Sequence, residues 1–116
     1  MLEDVATIQK AMAQIAELNQ KKDDALAANQ LARWVATKES HATHIQQVIA
    51  QYFMSQRLKP ADPADADAWN AYVSKLTKAH VVMRAAMKCK QSVDPAHAEA
   101  ARKAILEFHK AYEGKK

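Results

Sequence analysis

Between positions 31 and 58 the large apolar residues fall at Leu31, Trp34, Val35, Ile45, Val48, Ile49, Tyr52 and Phe53, with polar residues between them. Steps of three and four gather them on one helical face. The stretch has no Gly or Pro, so the pattern predicts a long helix 2 from about Asp24 to Leu58, with Ser40 as an alternative cap if it breaks. Val5, Ile8, Met12 and Ile15 mark a narrower seam on helix 1, Leu2 to Leu18. Trp69, Tyr72, Leu76, Met83 and Met87 stripe helix 3, which ends near Gln91. Ala101, Ile105, Phe108 and Tyr112 stripe helix 4.

The breaks carry their own chemistry. The polar segment 19–24 separates helices 1 and 2, and Asp23 or Asp24 is placed to cap the second by accepting a backbone N–H. Pro60 closes helix 2, because a proline disfavours helical geometry in the residue before it. Asp62-Pro63 and Asp94-Pro95 each set an N-cap side chain before the residue best suited to the first helical position. Gly114 is the natural stop of helix 4, with Lys115 and Lys116 beyond it. Four amphipathic segments with short connections predict one all-α domain over residues 1–116: an antiparallel, up-down-up-down four-helix bundle with a long second helix.

Composition narrows the function classes. The chain's 116 residues are 49% hydrophobic and 26% charged, and its one cysteine, Cys89, excludes an internal disulfide. No apolar run is long enough to span a membrane. The formal charge of +4 raises the question of nucleic acid, but the cations are spread over every helix instead of clustered, which argues against it. The expected compartment is cytoplasmic, or periplasmic if Met1 replaces a removed leader.

Candidate chemistry is sparse. His41 and His44 stand three apart on helix 2, close enough to share a metal, yet no carboxylate-rich metal motif accompanies them, so no metal site is assigned. Lys38 falls within the apolar face of helix 2, where its stem would carry the ammonium to the bundle edge; the alternative is a polar pocket shared with His41. Cys89 falls on the back of helix 3 between Lys88 and Lys90 and reads as a bystander thiol. No phosphate loop, nucleophile setting or other catalytic constellation is present, which points away from an enzyme.

Ile105-Leu106-Glu107-Phe108-His109-Lys110-Ala111-Tyr112 resembles the C-terminal helix of the four-helix-bundle cytochromes, the soluble b-type and the c-prime kind. The resemblance implies His109 as a haem ligand and, in the b-type arrangement, Met12 as the other. Ile105 and Phe108 stand where the c-prime kind has the cysteines of Cys-x-x-Cys-His, so only a non-covalent haem b is implied. The leading expectation is instead a non-enzymatic, cofactor-free bundle that binds a protein partner or its own copy through Tyr52, Phe53 and Met54 at the end of helix 2. A haem-binding electron-transfer bundle is the alternative.

Overall fold

The computed structural model describes residues 1–21 and 23–114; Lys22, Lys115 and Lys116, noted above at the first break and beyond Gly114, lie outside the described residues. Four helices account for the fold: α1 (Leu2–Leu18), α2 (Ala25–Gln47), α3 (Ala66–Gln91) and α4 (Pro95–Tyr112). No strand occurs among the described residues. Each helix packs on its sequence neighbours, and α4 closes on α1, which makes the expected antiparallel four-helix bundle. The molecule is a rod of 63 × 23 × 19 Å.

Three caps set the helix starts. Asp24 accepts from the backbone N–H of Leu26 at 2.9 Å, so the first break is real and α2 begins behind it. Asp94 accepts from Ala96 N–H at 2.9 Å with Pro95 in the first turn, as the sequence implied. The start of α3 differs: Asp62 accepts from Ala64 N–H within a separate turn, and Asp65 caps the helix through Ala68 N–H. Asp62-Pro63 therefore opens a turn, and the helix waits for the next carboxylate.

The long second rod also changes character. From Val48 to Arg57 it is π-helical, continuing α2 with wider turns, and ends where Leu58 N–H reaches Phe53 O at 2.7 Å. Ser55 donates its hydroxyl to Ala50 O at 2.7 Å along the same segment.

The core joins Val5, Ile8 and Met12 of α1 to Ala42, Ile45 and Ile49 of the second rod, Val82 and Ala86 of α3, and Ile105 and Phe108 of α4. Burying such side chains is worth about 1.5–3 kcal/mol each relative to exposure. The alanines on α3 and α4 let these helices close tightly. Lys38 does not snorkel: it is 3% exposed, and its ammonium donates to Cys89 O, Lys90 O and Ser92 O at 2.7, 2.9 and 3.0 Å. Those carbonyls lie at the end of α3, where the helix leaves its last acceptors unmatched and the dipole favours a cation. Lys38 thus pins α2 to the α3–α4 turn, and no pocket is shared with His41. Cys89 is likewise not on the back of α3 but fully buried in the core.

Candidate functional site

Asp4, His41 and His44 meet where the first turn of α1 lies against α2. Asp4 stands four residues before Ile8 on the inward seam of α1, which leaves its side chain only 8% exposed. His41 and His44 precede the buried Ala42 and Ile45, so both rings leave α2 at the edge of its buried ridge. They turn to the two oxygens of the one carboxylate: His41 Nδ1 to Asp4 Oδ1 at 2.8 Å, and His44 Nδ1 to Asp4 Oδ2 at 2.7 Å. A carboxylate only accepts, so each Nδ1 carries the hydrogen and donates. The tautomer is thereby fixed, and each Nε2 is left as the working atom of its ring.

Burial pushes the Asp4 carboxyl up, but the hydrogen bonds from His44 and His41, with the charge of His44, outweigh it and hold the group below the ordinary carboxylate value. The cluster opens on a cleft of about 540 Å³ lined also by Ser40, Thr43 and Gln47. Ser40, Thr43 and Gln47 can donate hydrogen bonds into the cleft and each ring's Nε2 is free to accept a proton, while Asp4 is engaged by both rings and lies 3.9 Å from the Met1 ammonium. Such a surface suits a small anion and can exchange protons with it.

The residues singled out from the sequence lie elsewhere. Phe53 is core, with edge-to-face contacts to Phe108 and Tyr112 at 4.8 and 5.0 Å between ring centres, so it offers nothing to a partner. Tyr52 and Met54 are exposed. Met12 is 1% exposed inside the apolar core, whereas His109 opens on a groove lined by α4 alone, through Lys103, Leu106, Glu107, Lys110 and Glu113. Met12 and His109 therefore frame no common haem slot. The sequence reading found the two histidines and missed Asp4. The available signal was a carboxylate in register with the seam of helix 1, a position that demands a partner.

A family model described as nickel-containing superoxide dismutase matches residues 1–116. The chain belongs to that family. No curated protein and no solved structure matches it at a significant level. The family match overturns four expectations together: the resemblance to the cytochromes, the non-enzymatic binding module, the haem-binding alternative, and the expected absence of a cofactor. The family is one of enzymes, and its metal is nickel.

The donor chemistry of the described residues does not fit a nickel ion. Among them no group of three or more His, Cys, Asp and Glu side chains is arranged to hold a metal. His41 and His44 spend their Nδ1 atoms on Asp4, leaving two imidazole nitrogens, beside which the cleft offers only neutral hydroxyl and amide oxygens and a carboxylate already engaged by both rings. Cys89, the one thiol, is sealed in the core; burial pushes it up, against a partial offset from the nearby Lys38 charge. A thiolate donor would have to form there against desolvation.

Proposed function

We propose that this protein disposes of superoxide and that the Asp4–His41–His44 cleft is where the bundle receives the anion and exchanges protons with it. The observation that carries the reading is the family match across residues 1–116. Dismutation takes two superoxide anions and two protons to dioxygen and hydrogen peroxide, one anion losing an electron and the other gaining one. The polypeptide around such a reaction has two tasks: to attract a small anion, and to move protons. A formal charge of +4 draws anions toward the molecule. In the cleft, the Ser40 and Thr43 hydroxyls and the Gln47 amide offer neutral donors. His41 and His44 present Nε2 to the cleft, where each can take up and hand on a proton, because Asp4 fixes the other nitrogen of each ring. Asp4 is a positioning residue: it touches the rings that meet the substrate, not the substrate.

The test is superoxide decay followed in the ultraviolet after a radiolytic pulse, with the protein assayed both as purified and after nickel is added. Decay should accelerate in proportion to protein and slow as salt is added. Replacing both rings, His41→Gln with His44→Gln, should lower the protein-dependent rate by about ten-fold or more, in the range of a lost proton-transfer group. Spontaneous decay at every protein concentration would sink the reading.

A further inference from the structure

A second cleft, about 360 Å³, lies where the π-helical segment ends and α3 and α4 pass beside it. Arg57, Lys59 and Lys75 stand around it with the phenols of Tyr72 and Tyr112, over a floor of alanines that includes Ala68 and Ala71. No acidic side chain lines it. Asp62 and Asp65, in the turn before α3, accept from the N–H groups of Ala64 and Ala68.

Arg57 is braced without being neutralised. Its Nε donates to Tyr112 Oη at 3.0 Å, and its guanidinium lies 5.9 Å from the centre of the Tyr52 ring. Both partners are phenols rather than carboxylates, so they orient the fork and leave its outer N–H groups to the cleft. The backbone supplies an independent pointer. Ten residues of π-helix are an uncommon construction, usually kept to a single turn and frequent at functional sites. This segment ends on Arg57 and Leu58, and both line the cleft.

We propose that this cleft binds a phosphate-bearing small molecule, with the phosphate among Arg57, Lys59 and Lys75 and the attached organic body over the alanine floor beside Tyr72. Three cations about one small concavity match a multiply charged oxyanion, and the guanidinium fork matches its paired oxygens. The apolar floor and the Tyr72 ring give the organic part a surface that inorganic phosphate would not use. The site stands apart from the Asp4 cluster and does not depend on superoxide chemistry.

Calorimetric titration of the full chain with adenosine monophosphate, and separately with inorganic phosphate, tests the assignment. The nucleotide should saturate one site per chain, more tightly than phosphate, with affinity falling as salt rises. Lys75→Gln should weaken it about ten-fold or more, as expected for a lost charge-assisted bond. Lys88→Gln, thirteen residues further along α3 and roughly 20 Å away, should leave it unchanged. Arg57→Gln is read only where its thermal midpoint matches the parent, and should then behave as Lys75→Gln does. The absence of saturable heat at millimolar nucleotide, or equal effects of Lys75→Gln and Lys88→Gln, would overturn the proposal.

Discussion

Asp4 shows how one side chain can organise two others that the sequence places 37 and 40 positions away. The spacing of His41 and His44 was legible, since two imidazoles three apart on a helix are visible without a structure. Their common partner was not, because helix periodicity says which face a residue occupies and not which residue of another helix it meets. The same limit hid the role of Lys38, whose acceptors are backbone carbonyls at the far end of α3. The lowered carboxyl value of Asp4 has a signed consequence. A group whose folded value lies below its unfolded value stabilises fully above the ordinary carboxylate range, and this contribution is lost as pH falls through the folded value. Asp4→Asn should therefore cost about 1–3 kcal/mol near neutral pH, by removing the charged acceptor from two donors. In the variant, the further loss of thermal stability on acidification should be smaller than in the parent. Parallel midpoint-against-pH curves for the two proteins would show that titration of this carboxylate contributes nothing to the acid dependence of stability.

At the scale of elements, the second rod is where pattern and structure part. Apolar steps of three and four predicted a long rod, and Pro60 its end near Leu58, but neither showed the change to π-helix at Val48. A widened turn alters hydrogen-bond partners while leaving much of the apolar stripe facing the core, so hydropathy alone does not register it. The difference matters for Tyr52 and Phe53, which the sequence reading joined in one contact patch. The structure separates them: Phe53 lies under Phe108 and Tyr112, while Tyr52 stands 46% exposed above it. Phe53→Ala should cost about 3–5 kcal/mol, the usual range for emptying a buried aromatic site. Tyr52→Ala should cost about 1 kcal/mol or less, because it loses one edge-to-face contact, an exposed guanidinium contact and little burial. Urea unfolding of the two variants measures both, and equal costs would place Tyr52 in the core after all.

On the scale of the whole molecule, the fold was readable because a bundle is specified by repeated stripes, each local and each redundant with the others. The enzyme family was not, since no catalytic motif in this chain announces it. The stripes also distribute stability unevenly along the rod. The main core cluster takes Val5, Ile8 and Met12 from α1 and begins at Ala42 on α2. Ile15 and Ala27 are buried outside it, and Leu26 is 67% exposed, so the α1–α2 turn is held mainly by its own hairpin. Fewer buried apolar contacts mean a smaller free energy of local opening. Amides in residues 15–18 and 25–34 should therefore exchange with deuterium at least about ten-fold faster than those in 42–49 and 101–108, a gap of roughly 1.4 kcal/mol in opening energy. The Asp4 cluster lies on the slow side of that division, where α1 joins the main core. Uniform protection along α1 and α2 would mean that the bundle opens only as one unit, and that the turn borrows its stability from the whole rod.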